Sequence, residues 1–223
     1  LIGKRVGGTN FQPAGNIWLR GILEEHYGVP PQSITWVVDR SEDVEFTPPP
    51  GLKIVMIPPD KSMDTMLAEG EIPAMINPYI PKPIVSGDER VTRLFPDYKQ
   101  VEREYFQQTG IFPIMHVMTI RRAVLEQHPW VAMNLYKAFD EAKRRCFERL
   151  RDFTCARIPL PWAAAITDEI TTQFGPDPFP YGVEASRPTI EAFCRYCHDQ
   201  GVTHRRMTPE DLFPREVRAM AKV

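Results

Sequence analysis

Up to Arg121 the chain alternates between short apolar runs and amphipathic stretches of helical period; beyond it only the helical period persists. Lys4 to Gly8 reads as a short strand closing on Gly7-Gly8. Pro13 to Tyr27 reads as a helix with Trp18, Leu19, Ile22 and Leu23 on one face, stopped by Gly28. Ile34 to Val38 and Leu52 to Ile57 are β-branched runs of strand length. Ser62 is placed to cap a helix that runs to Glu69 and ends at Gly70. Pro73 to Asn77 holds a short strand, Ala74-Met75-Ile76. Asp97 starts a helix to Thr109 with Tyr98, Val101 and Tyr105 inward, and Ile114 to Ile120 reads as a last strand. Strand and helix alternating at this spacing predict an α/β fold, a mostly parallel sheet covered by helices.

The remainder reads as helix alone. Pro129 to Arg151 forms one long helix with Val131, Leu135, Ala138, Ala142 and Cys146 in a stripe and a charged opposite face from Lys137 to Arg145. Further helices are predicted at Pro161 to Phe174, Arg187 to Gln200 and Pro209 to Phe213, and no strand after Arg121. Amphipathic helices need a surface against which to bury their apolar faces, and the helices of the first half already occupy its sheet. The pattern therefore predicts a second sheet outside these residues, in a preceding segment or a partner chain.

Composition narrows the function. The 223 residues carry a net charge of −2, without the basic footprint that nucleic acid requires. The longest apolar stretch, Gly110 to Ile120, is broken by Pro113 and His116 and falls short of a membrane span. Prolines number 23 and cluster at 30–31, 48–50, 58–59 and 78–83, which predicts many short elements with stiff connections. The sequence starts at Leu1 without a signal-peptide pattern, as expected of a processed start or a piece of a longer polypeptide. Four cysteines are too few and too irregular for a disulfide scaffold.

Some residues carry candidate chemistry. Cys194-Arg195-Tyr196-Cys197-His198 spells the c-type haem attachment pattern. However, Ser186 and Pro188 mark a helix start, and Ile190, Phe193, Cys194 and Cys197 then fall on one face, so a buried helix face is the reading favoured over haem or a redox pair. Cys146 and Cys155 could pair with each other or with those thiols. No cysteine–histidine spacing matches a zinc template, and no metal or cofactor is expected. Gly7-Gly8-Thr9-Asn10 lies between a strand and a helix, where backbone N–H groups can face an anion. Ligands of open α/β sheets sit at the carboxyl ends of the strands, which also nominates Asp39 and Arg40 after the second strand, and Asn77 and Tyr79 after the fourth. His116 is either a core histidine or one poised between two lobes to titrate near neutrality. His128 marks a helix start and His26 a surface.

Five blocks, GKRVGGTNFQPAGNIWLRGILEEHYGVPP, MLAEGEIPAMINPYIPKPI, RLFPDYKQVEREYFQQTGIFPIMHVMTIRR, HPWVAMNLYKAFDEAK and FPYGVEASRPTIEAFCRY, together resemble the 4,5-dihydroxyphthalate decarboxylase family, which is built on the fold of type II periplasmic solute-binding proteins. The resemblance is weakest from Asp39 to Pro59 and from Cys146 to Pro161. It implies a two-lobed fold in which residues 1–113 form the second lobe, 114–122 cross between lobes, and 123–223 pack as helices on a first lobe whose sheet is absent from this sequence. The family's alanine- or leucine-like positions in the last long helix are here Cys194 and Cys197. The implied activity is removal of one carboxylate from a dihydroxylated aromatic diacid. For that chemistry the sequence nominates His116 as proton donor, Thr9, Asn10 and nearby backbone as carboxylate clamp, Asn77 and Tyr79 as contacts to ring or hydroxyls, and Arg40 as counter-ion. The same scaffold also serves transport. The alternative is therefore a binding protein for a small aromatic or anionic solute of an ABC-type transporter, periplasmic where the enzyme would be cytoplasmic.

Overall fold

The computed structural model describes residues 1–152, 154 and 159–218, and the chain divides into two units. One comprises Leu1–Val101, Pro113–His116 and Ala192–Met207; the other comprises Glu102–Phe112, Val117–Glu191 and the residues from Thr208 onward.

The first unit is built on four parallel strands, β1 (Arg5–Gly8), β2 (Thr35–Val38), β3 (Lys53–Met56) and β4 (Ala74–Ile76), in the order β3-β2-β1-β4. Their register aligns Gly8 with Val38 and with Ile76, and Val38 with Met56, so the four carboxyl ends share one edge. Helix α1 (Ala14–Tyr27) connects β1 to β2 and ends in a left-handed Gly28, which no side chain with a Cβ adopts as cheaply. Between β2 and β3, residues 39–52 form a strap without a helix. Helix α2 (Met63–Ala68), capped by the Ser62 hydroxyl accepting from the Thr65 N–H, leads into β4, and α3 (Lys82–Val85) follows it. Two cores flank the sheet. On one side Val6, Phe11, Ile34 and Trp36 pack with Phe46, Leu52 and Ile54; on the other Val37, Met63, Met66 and Ile72 pack with Ile57, Leu67 and Met75. Gly7 is dictated by the second core, because a Cβ there would meet Ile72 Cδ1 at 2.6 Å and Met63 Sδ at 2.8 Å.

The buried face of α1 differs from the one its apolar pattern predicts. Leu19 is exposed, while Asn16, Arg20 and Gly21 are buried beside Ile17, Trp18 and Leu23. The partner of this face is the end of α8 (Val183–Asp199), of which the residues from Ala192 on belong to the same unit. Trp18 stacks on Phe193 and meets Tyr196 edge-on, and Gly21 lets the Tyr196 ring approach to where a side chain would stand.

In the second unit, residues 102–109 of α4 (Tyr98–Thr109) join α5 (Arg122–Gln127), α6 (Trp130–Arg151), α7 (Ala163–Phe174), the start of α8, and the short α9 (Pro209–Leu212) and α10 (Arg215–Arg218). Phe106, Phe112, Phe147, Phe174 and Phe179 form an aromatic cluster with ring centroids 4.7–6.3 Å apart. Arg103 pairs with Glu169, and Lys143 pairs with Asp177 at 2.8 Å beneath the Tyr181 ring.

Four expectations are corrected. Residues Ile114 to Ile120 form no strand: Pro113 offers no N–H, no neighbour supplies a ladder, and Met115, Val117 and Met118 are exposed. On α6 the packed positions are Ala132, Tyr136, Lys143 and Phe147, whereas Ala138, Ala142 and Cys146 of the predicted stripe face solvent. Tyr98 is exposed beneath the Arg93 guanidinium rather than inward. Helix α8 begins at Val183, so Ser186 does not cap it; the Ser186 hydroxyl donates to the Pro180 carbonyl instead, and Pro188 lies inside the helix. Among the described residues no strand follows Arg121, as the pattern predicts.

Candidate active site

The aligned strand ends of the first unit gather most of the nominated residues. Thr9 follows β1, and its carbonyl accepts the N–H groups of Asp39 and Arg40, both at 3.1 Å, which ties the loop after β1 to the strap after β2. Asn10 is buried. Its Oδ1 accepts from the Thr9 hydroxyl at 3.2 Å and from Arg40 at 3.4 Å, and its carbonyl accepts from Asn16 Nδ2 at 2.8 Å. The structure thus brings Thr9, Asn10 and Arg40 together, with the Arg40 guanidinium exposed and also 3.5 Å from Asp43. Burial raises the Asp39 carboxyl above its ordinary range, against the pull of Arg40 and of a backbone N–H.

Asn77 comes one residue beyond Ile76, the register partner of Gly8, and so stands on the same edge. Its Oδ1 accepts the Tyr79 N–H at 3.3 Å in a local turn, and the Tyr79 ring points into solvent at 75% exposure. These two form a second group, with no hydrogen bond to Thr9, Asn10 or Arg40 among those observed. His116 is exposed. The residues before it are fixed to α1: Trp18 Nε1 donates to the Ile114 carbonyl at 3.0 Å, and Met115 Sδ lies 3.9 Å from the Cβ position of Gly15, in the first turn of α1. That anchorage carries His116 to the end of α1 that adjoins the loop after β1.

Two residues escaped the sequence reading. Glu42, in the strap, grips the loop after β1 with both carboxylate oxygens, accepting from the Phe11 N–H at 2.5 Å and the Gln12 N–H at 2.9 Å. Arg20, 1% exposed, supports the same loop from within. It donates to the Phe11 carbonyl at 2.7 Å and to Gln200 Oε1 at 2.7 Å, and its guanidinium lies 3.5 Å from the centroid of the Phe11 ring. Burial pulls Arg20 down to about 9, opposed by the charge of Glu42, so it is a cation at neutral pH. A charge this deep lies on what looks like a polar helix face, and Glu42 contacts residues about thirty positions away; only the helical phase of Arg20 beside Ile17 and Leu23 carries any trace of this in the sequence.

Cys194 and Cys197 are buried thiols on the packed face of α8, as expected of a helix face. Burial, with Cys194 nearby, pushes Cys197 up to about 12, the opposite of what a reactive or metal-binding thiol requires. Cys146 is an exposed thiol, and Cys155 lies outside the described residues. Among the described residues no group of three or more His, Cys, Asp or Glu side chains is placed to hold a metal, and no helix is long and apolar enough to cross a membrane.

This edge, with its carboxylate-gripping N–H pair over a buried cation, belongs to a chain that is 32% identical over 219 residues, 96% of its length, to a 4,5-dihydroxyphthalate decarboxylase of Comamonas testosteroni. The chain belongs to the 4,5-dihydroxyphthalate decarboxylase family. A second relative of that name, from Pseudomonas putida, is 29% identical over 113 residues, 48% of the chain. The chain spans 66% of the length of the first of these decarboxylases and 44% of the second. No family model matches it. Within the family, the loop after β1 and the start of α1 lie in the block GKRVGGTNFQPAGNIW, on which the resemblance rests.

Proposed function

We propose that the full-length protein is a cofactor-independent carboxy-lyase that converts 4,5-dihydroxyphthalate, or a close analogue, to 3,4-dihydroxybenzoate and carbon dioxide. The single observation that carries the proposal is the identity to the Comamonas testosteroni decarboxylase along 96% of the chain. The chemistry needs three things. The retained carboxylate must be held by N–H or cationic donors, the ring hydroxyls must be oriented, and the ring carbon that loses carbon dioxide must receive one proton. A hydroxyl para to that carbon feeds electron density into the ring as the proton arrives, and the carbon–carbon bond electrons restore the aromatic ring as carbon dioxide leaves. One proton is consumed per turnover.

In this reading His116 delivers the proton, because it is exposed next to the anchored start of α1 and is the histidine of that edge. The loop from Thr9 to Gln12 takes the retained carboxylate with Arg40 as counter-ion, and Asn77 and Tyr79 contact hydroxyls or ring. We further propose the two-lobed architecture of type II periplasmic binding proteins. Residues 1–113 would form one lobe, 114–122 would cross, and 123–223 would pack on a first-lobe sheet that this sequence does not contain. The solvent-facing Ala138, Ala142 and Cys146 of α6 support that reading, since an apolar stripe calls for a covering surface. The test is carbon dioxide release from 4,5-dihydroxyphthalate by the full-length protein, followed with His116→Gln. Turnover that falls more than tenfold with binding retained supports the assignment. Undiminished turnover removes His116, and tight binding without turnover by the unaltered protein replaces catalysis with solute binding.

A further inference from the structure

We propose that Glu42 is an internal stand-in for the ligand's carboxylate, a plug on the strap 39–52 that the ligand displaces. The proposal rests on the reading above, in which an aromatic dicarboxylate binds at this edge. The carbonyls of Thr9, Asn10 and Phe11 in the loop after β1 are held by fixed groups. Thr9 accepts from the backbone of the strap's first two residues, Asn10 from the buried Asn16, and Phe11 from the buried Arg20. The two N–H groups are held differently. They face a single carboxylate, borne by a strap whose other residues from Ser41 to Glu45 are exposed. The grip is bidentate, 2.5 Å and 2.9 Å, so the N–H pair has the spacing of a carboxylate's two oxygens. Arg20 lies beneath without a carboxylate among its hydrogen-bond partners, so a positive charge remains available to whichever anion sits on the pair. The strap itself is moored independently of Glu42: Phe46 stacks on Phe11 at 5.4 Å, and Pro49 packs against Gly201. Release of Glu42 therefore frees a short tip and leaves the first core intact.

The physical consequence is competition. A protein whose binding-competent state is only a fraction of the population binds with an affinity lowered by that fraction. With Glu42 seated most of the time, an external carboxylate binds about ten times more weakly than the bare N–H pair would allow.

The experiment measures phthalate binding to the full-length protein by calorimetry, because phthalate has both carboxylates and no hydroxyl to drive turnover. Wild type is compared with Glu42→Gln and Glu42→Ala, each checked for an unchanged circular dichroism spectrum and melting temperature within a few degrees. The expected result is phthalate affinity raised by about fivefold or more in both variants, with hydrogen exchange at residues 41–45 of the wild type accelerating when phthalate is added. Affinity that is unchanged or weakened in the folded variants, or exchange that slows at 41–45, overturns the plug. If Glu42→Ala fails to fold, Glu42→Gln decides alone, since its amide keeps one acceptor for the pair without the charge; failure of both variants to fold makes Glu42 a structural clamp and overturns the plug. Turnover of 4,5-dihydroxyphthalate by the wild type is run alongside. Turnover with no gain in phthalate affinity sinks the plug and leaves the decarboxylase reading standing, whereas neither turnover nor binding sinks both.

Discussion

Arg20 and Gln200 are the pair whose coupling decides whether the loop after β1 is held from within. Substituting Arg20 alone is a poor test, because two large effects oppose each other. The burial that pulls this guanidinium from 12.5 to about 9 disfavours its charge by about 5 kcal/mol, which Arg20→Met would relieve. The same substitution strips the Phe11 carbonyl and Gln200 Oε1 of a donor, at about 1–3 kcal/mol each. A double-mutant cycle with Gln200→Met cancels the terms that do not involve the pair. The orphaned Phe11 carbonyl is common to both Arg20→Met species, and the hydrogen bond from Gln200 Nε2 to the Ile17 carbonyl is lost in both Gln200→Met species. What remains is the contact from Arg20 Nε to Gln200 Oε1, 2.7 Å, charge-assisted and buried, worth about 1.5–3 kcal/mol. Urea unfolding of the four proteins, read as midpoint at unchanged m-value, gives the coupling. A coupling below about 0.5 kcal/mol refutes the reasoning, since it would mean that Arg20 does not draw its place from Gln200.

Other outcomes follow from the same packing. Gly21→Ala drives a methyl into the Tyr196 ring and lowers stability by about 1–3 kcal/mol, measured by thermal unfolding, whereas the same change at Gly28 acts through its positive φ alone. Iodoacetamide at pH 8 labels Cys146 in the native protein and leaves Cys194 and Cys197 unlabelled until denaturant is added, as peptide mass spectrometry will read. For Glu25, burial works to raise the carboxyl, but the Tyr196 hydroxyl and the Arg195 guanidinium outweigh it and hold the group below 4.5. The stability this confers is present above pH 4.5 and lost as pH falls below it, so Glu25→Gln flattens the acid limb of the melting-temperature profile.

The sheet was legible because its strands are β-branched or apolar runs bounded by glycine and proline, a composition that burial on both faces requires of the central strands β1 and β2. Val6, Trp36 and Val37 are buried as the runs imply. Parallel strands of similar length also bring Thr9 and Arg40 together whatever their side chains, so the proximity of these two residues follows from the topology alone. Ile114 to Ile120 failed for the converse reason: alternation describes a segment with strand composition, but a strand exists only where a neighbour offers its ladder. Helix α6 shows the same limit. Its periodicity marks an apolar stripe in the sequence, yet which face is packed depends on what lies opposite, and here Lys143 is drawn inward by Asp177 and the Tyr181 ring. Arg20 was illegible because a charged residue on a helix is surface by default, and only its contacts with two residues outside the helix, Gln200 and Phe11, make its burial tolerable.

Those partners also explain why the Glu42 contact stands apart in the loop after β1. A loop that must present N–H groups to an anion has to spend its carbonyls elsewhere, or the carbonyl dipoles would repel the guest. The carbonyls of Thr9, Asn10 and Phe11 are all taken from behind, by strap backbone, Asn16 and Arg20. Pro13 follows at once, so the next residue brings no N–H to compete for the position. Buried or backbone donors fixing the acceptors, and one half-buried carboxylate from an exposed strap on the donors, is an arrangement in which a single contact can be exchanged without disturbing the rest. Were Glu42 only a clamp for the loop, the clamp would be redundant, because the loop is already fastened at three successive carbonyls, those of Thr9, Asn10 and Phe11.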